Sequence, residues 1–155
     1  MAARPDPTTT LELSRDFKAE RERVFGAFLD AKVLQTIWSA EAYTIVEMTV
    51  DARVGGGWCL AMRDEATGAV AHCTARFAEI TRPSRIVWWT RWLDGPLAGA
   101  PEMRVTLNFA AIPGGTRLTL THELFPDRQT RDHHRSGWAS GLERLARLLA
   151  GKLAK

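Results

Sequence analysis

MRVTLNFAAIPGGTRLTLTHE, running from Met103 to Glu123, decides how this chain folds. Met103 to Ala111 and Thr116 to Glu123 alternate apolar with polar side chains, as strands covered on one face do. Ile112-Pro113-Gly114-Gly115 supplies turn chemistry between them, so the pair reads as an antiparallel hairpin. A hairpin also sets the register of its two strands. Phe109 is then expected opposite Leu118, Leu107 opposite Leu120 and Val105 opposite His122. The result is one apolar face carrying a single titratable group.

The same logic extends upstream. Trp58 to Arg63, Val70 to Ile80 and Arg85 to Trp92 read as successive strands, with turns at Asp64 to Gly68 and Arg82-Pro83-Ser84. If Arg63 faces Val70, then Leu60 faces Cys73 and Trp58 faces Ala75. Phe77 then faces Trp88. Trp58, Leu60, Met62, Cys73, Ala75, Phe77, Ile86 and Trp88 share the inner face, while Trp89 points outward. Cys59 and Cys73 fall on opposite faces, which predicts two free thiols.

The flanks complete the order. Leu11, Leu13 and Phe17 suggest a first strand, and Val24, Phe25, Phe28 and Leu29 follow helical spacing. A second short helix spans Lys32 to Ile37 and ends near Trp38. Tyr43 to Asp51 is a further strand, broken from the next by a sharp bend at Gly55-Gly56-Gly57. Asp127 is a fitting N-cap for a long final helix with its apolar stripe at Trp138, Leu142, Leu145 and Leu149. Strand, two helices, six strands and one helix make an α+β chain. A curved antiparallel sheet wrapped around the last helix buries all these one-sided faces. Residues 1–155 are expected to form a single domain.

Composition narrows the function. Of 155 residues, 45% are hydrophobic and 25% charged, which suits an ordinary globule rather than a disordered chain. The net charge of +3 is concentrated in residues 128–155. Those arginines stand singly, without a nucleic-acid motif, so a solvated helix face is expected and nucleic-acid binding is not. The start of the chain has no apolar signal-peptide core, and no stretch approaches the ~18 apolar residues that span a membrane. A cytoplasmic location without membrane insertion is the expectation. The glycines of Gly55-Gly56-Gly57 lack the Lys-Ser/Thr of a phosphate loop, no Gly-flanked nucleophile occurs, and the histidines lack ligand spacing. No cofactor, metal or catalytic set is expected.

Six Trp and six Phe against one Tyr give a large aromatic area that mostly lacks hydroxyls. Placed by register, Val50, Trp58, Leu60, Phe77, Trp88, Leu107, Leu118, Leu120 and Trp138 are candidate walls of an apolar cavity between sheet and final helix. His122 and His134, with Arg131 nearby, are candidates for its polar end. Apolar pockets with a few convergent polar groups are what small-molecule sites look like. A histidine on such a face is otherwise a core residue hydrogen-bonded to a neighbour. Leu93 to Pro101, with Gly95 and Gly99 as hinges, is the candidate gate.

Five motifs then fall in a familiar order: Glu22-Arg23-Val24-Phe25 through Trp38; Arg53-Val54-Gly55-Gly56-Gly57-Trp58; Pro83-Ser84-Arg85-Ile86-Val87; Gly115 to His122; and Gly137-Trp138 with Leu142 and Leu145. Together they resemble the heat-shock protein 90 ATPase activator homologues, a branch of the START-like (SRPBCC) superfamily, from about Leu11 to Leu149. The resemblance implies a helix-grip fold with a deep hydrophobic cavity, and it carries over no catalytic set. The family name describes a co-chaperone in which this domain accompanies a separate client-binding domain. A chain with room for one domain is therefore expected to bind a small apolar or aromatic ligand rather than stimulate a chaperone. The alternatives are a chaperone-interaction module working through the basic last helix, and a cyclase- or isomerase-like enzyme using His122 as acid or base. A homodimer is compatible with each.

Overall fold

The computed structural model describes residues 6–151. Its strands are β1 (Thr10–Phe17), β2 (Tyr43–Val50), β3 (Gly57–Asp64), β4 (Val70–Thr81), β5 (Arg85–Trp92), β6 (Met103–Ile112) and β7 (Gly115–Glu123). They form one curled antiparallel sheet in the order β1-β7-β6-β5-β4-β3-β2. The helices are α1 (Arg21–Ala27), α2 (Ala31–Trp38) and α3 (Arg128–Leu149). α1 and α2 link the two edge strands, and α3 packs against β1 and α2. The arrangement is an α+β helix grip, as expected.

The register of the central strands is the one read from the hairpins. Arg63 pairs with Val70, Leu60 with Cys73 and Trp58 with Ala75. Phe77 pairs with Trp88, and Val105 pairs with His122, Leu107 with Leu120 and Phe109 with Leu118. Two irregularities modify strict alternation, one of them in β2 between Ile45 and Glu47. A bulge between Phe77 and Glu79 brings Ile80 opposite Ile86, so Ile80 joins Phe77 in packing against the core. An extra residue in one strand has this effect because it shifts the two-residue side-chain period by one.

Local chemistry sets the ends of the elements. The Asp30 carboxylate accepts from the amides of Lys32 and Val33 at the start of α2. Asp127 accepts from the Thr130 amide at 2.7 Å at the start of α3. Each satisfies donors that an helix N-terminus otherwise leaves open. Gly57 opens β3 because a Cβ there would lie 1.8 Å from the Ala75 carbonyl oxygen. The buried stripe of α3 is Trp138, Gly141, Leu142, Leu145 and Leu148. Leu148 joins the expected stripe, and Leu149, half-buried, packs against the core beside it. Helical geometry accounts for both: Leu148 and Leu149 lie three and four residues after Leu145, on the same face.

The core is a single cluster running from Leu11 and the α1 phenylalanines to Trp138 and Leu148. Cys73 is buried in it and Cys59 is exposed, and both thiols are free. Burial pushes the Cys73 thiol up to about 12.

Candidate functional site

Four tryptophans from four elements meet inside the grip. Trp58 on β3, Trp88 on β5 and Trp138 on α3 are buried. Trp38, the last residue of α2, inserts its ring among them. It lies edge-on to Trp58 at 5.2 Å, to Trp138 at 5.8 Å and to Trp88 at 6.2 Å between centroids. Trp88 also meets Trp58 at 5.9 Å and Phe77 at 6.1 Å, and stacks on Trp138 at 6.4 Å. Edge-to-face pairs at these separations each contribute roughly 0.5–1.5 kcal/mol beyond their buried area.

Trp38 can reach the centre because α2 and α3 approach closely. A Cβ at Gly141 would lie 3.1 Å from the Ile37 carbonyl oxygen and 3.5 Å from Cδ1 of Trp38. The Arg144 guanidinium donates to that same Ile37 carbonyl at 2.8 Å, closing the C-terminal end of α2. A cation on an open helix carbonyl is favoured by both the hydrogen bond and the helix dipole.

The polar end of the interior is built on His122. Its ring is 3% exposed, stacks on Phe125 at 4.2 Å and faces His134 edge-on at 5.5 Å. The Trp138 indole N–H donates to His122 Nδ1 at 3.0 Å. An indole nitrogen can only donate, so Nδ1 must be the accepting nitrogen and the ring proton sits on Nε2. Burial pushes the His122 imidazole well below its ordinary value of 6.5, and His134 pushes the same way. The ring is therefore neutral near pH 7. His134 has the opposite tautomer, because its Nδ1 donates to the Thr130 carbonyl at 2.9 Å. Burial also lowers the His134 pKa, against the opposing pull of that carbonyl.

Two buried side-chain nitrogens in this region have no partner among the described residues: Trp58 Nε1 and His122 Nε2. Both are N–H donors. Leaving a buried donor unsatisfied costs on the order of 1–3 kcal/mol, so each of the two calls for a physical account.

The other candidate wall residues lie as follows. Phe77, Leu107, Leu118 and Leu120 are fully enclosed in the core, and Leu60 is buried beside them. Val50 is half-buried at the margin. Val50 and Trp58 also line an open cleft of about 430 Å³ with Asp51, Gly55–Gly57 and Arg76. Leu60 lines a smaller one of about 160 Å³ with Glu47, His72 and Leu93. Arg131 does not join the two histidines. Its guanidinium is held by Asp132 and the Pro7 carbonyl. The segment expected to act as a gate is fastened to β4, since Asp94 accepts from both the amide and the ring Nδ1 of His72, at 2.7 and 2.8 Å.

Sequence reasoning placed Trp38 only near the helix junction and passed over Phe125. Trp38 could have been found from Gly141, a glycine within the apolar stripe that signals close helix contact. Phe125 lies beyond the last strand, where no periodicity applies.

Over residues 18–150 the chain matches the family model described as Activator of Hsp90 ATPase homolog 1-like protein. The chain belongs to this family. Among solved structures, a Chromobacterium violaceum protein is 30% identical with a TM-score of 0.83, over 94% of this chain and 99% of that one. An AHSA1 protein from Silicibacter pomeroyi is 25% identical with a TM-score of 0.79, over 93% and 99% of the two chains. An Hsp90 activator from Plasmodium falciparum shares the fold, at 23% identity and a TM-score of 0.70 over 92% and 96%. No curated protein matches the chain. Membership of this activator-homologue family places the grip fold in the START-like superfamily. No described helix of this family member is long and apolar enough to cross a membrane.

Proposed function

We propose that the protein binds a small apolar, ring-bearing molecule between the sheet and α3. The molecule lies against Trp58, Trp88 and Trp138 and takes the space that the Trp38 ring fills. The observation that carries this reading is the pair of unpartnered donors, Trp58 Nε1 and His122 Nε2, in an otherwise apolar interior. A filled structural core has no use for such groups, whereas a binding site orients its ligand with them. Three indole rings around that position supply flat walls for a ring system.

The test is native mass spectrometry of the purified chain, with titration by naphthalene and anthracene followed by tryptophan emission. A retained small-molecule mass or saturable quenching supports the reading. Absence of both overturns it.

A second reading is favoured by the family description and by the fold shared with the Plasmodium falciparum activator. In it the chain docks on an Hsp90-type chaperone and raises its ATPase rate, with the interior acting only as core. Arg147 on α3 is the better probe of that surface, since Arg144 is committed to the Ile37 carbonyl. Stimulation of the chaperone ATPase that is lost in Arg147→Glu would favour this reading.

A further inference from the structure

We propose that the interior site recognises an uncharged carbonyl oxygen, held by the Nε2–H of His122, so that the ligand is an apolar ring compound of ketone, aldehyde or ester type. This rests on the interior-ligand reading above and names the chemistry of its polar end.

Three observations define that chemistry. The first is the tautomer. Trp138 donates to Nδ1, which leaves the single ring proton of a neutral imidazole on Nε2. The group offered to a ligand is therefore a donor, and its complement is an acceptor. Trp138 acts here as a positioning residue. It also makes His122 a poor general base at Nε2, since that nitrogen already carries the proton.

The second is that the donor is unused. Nε2 is buried and has no partner among the described residues, although the His134 ring stands at 5.5 Å. A ligand oxygen that accepts this bond relieves a desolvation cost the folded chain already bears. A ligand with only C–H groups at that point leaves the cost in place.

The third is charge. An anionic acceptor would need a cation to offset its loss of hydration. Arg131, one helical turn before His134 on α3, is taken up by Asp132 and the Pro7 carbonyl, and Arg135, which follows His134 directly, is exposed to solvent. The rings around His122 are Phe125, Trp138 and His134. Such surroundings suit a neutral oxygen better than a carboxylate.

Acetophenone and α-methylstyrene test this directly. They share a planar shape and differ in carrying a carbonyl oxygen or a methylene group. Both are titrated into the full chain by calorimetry, and the His122 ring is followed by imidazole nitrogen and proton NMR. Acetophenone is expected to bind about tenfold more tightly, the ratio one good hydrogen bond supplies, and to move the Nε2–H proton resonance downfield. In His122→Phe the ratio should fall to about one. Should that variant fail to fold, the NMR shift in the unaltered chain decides alone. Equal affinity for the two probes, or an Nε2–H resonance that acetophenone leaves in place, overturns the carbonyl assignment while the ring-binding reading stands. Binding of neither probe overturns both.

Discussion

The indole N–H of Trp138 lies 3.0 Å from Nδ1 of His122 and determines which nitrogen of that buried ring bears its proton. A residue of the last helix thereby sets the chemistry of a residue on the last strand. Trp138→Phe keeps most of the apolar area and removes the donor, leaving a buried acceptor without a partner. The expected loss is about 1–3 kcal/mol of unfolding free energy, read from denaturant titration. The His122 ring should also begin to populate both tautomers by NMR.

Stability should fall on mild acidification. His122 and His134 both have folded pKa values below their ordinary 6.5, so the unfolded chain binds more protons than the folded one. Stability is then full above about pH 6.5 and declines as pH drops toward the folded values, by at most about 1.4 kcal/mol per pH unit for each ring. The charged form of either ring is opposed by its histidine neighbours, His134 for His122 and His133 for His134. Thermal unfolding between pH 7 and pH 5 should show this decline, and His122→Gln should flatten it.

Gly57 and Gly137 should respond to alanine in opposite directions. At Gly57 the new Cβ meets the Ala75 carbonyl oxygen at 1.8 Å, which forces β3 and β4 apart. A cost of about 3 kcal/mol is expected, the upper range for overpacking. At Gly137, on the exposed side of α3, nothing lies within 4 Å. Alanine there should add about 0.5–1 kcal/mol through helix propensity. Chemical denaturation of the two variants compares them.

Trp38→Ala should open a hole that an added ring can fill. The lost contacts cost about 2–4 kcal/mol, less than for a fully buried tryptophan because Trp38 is only partly buried. Free indole should then raise the melting temperature of the variant by more than it raises that of the unaltered chain.

The two thiols should react at very different rates. Cys59 is exposed and Cys73 is buried, with its thiol pushed up to about 12. An aromatic disulfide reagent should titrate one thiol at once and the second only with unfolding.

The fold was legible wherever a turn linked two alternating strands. Leu107, Leu120 and Trp88 could be assigned to one face because a two-residue period and a hairpin leave little freedom. The bulge after Phe77 was not legible, since nothing in Phe77-Ala78-Glu79-Ile80 marks which residue is extra. Contacts between distant elements were also hidden. Trp38 meets Trp58, Trp88 and Trp138 only after α2 and α3 have docked, and strand parity says nothing about helix docking. His122 was legible as a buried polar residue, but its tautomer depends on a partner from another element. For Arg131 the sequence offers a place near His122 and His134 but not its partners, which are the Asp132 carboxylate and the Pro7 carbonyl.

The fastening of α2 has a kinetic consequence. Arg144 holds the Ile37 carbonyl, Gln35 donates to the Ile45 carbonyl and the Ser39 hydroxyl accepts from the Ile45 amide. Trp38 sits at the end of that tethered helix, so withdrawing its ring requires the helix end to move rather than one side chain to turn. Exposed side chains turn within nanoseconds, whereas displacements of packed helices take on the order of microseconds to milliseconds. The association rate of any molecule entering there should therefore level off as its concentration rises, at a ceiling that belongs to the protein and is the same for every ligand.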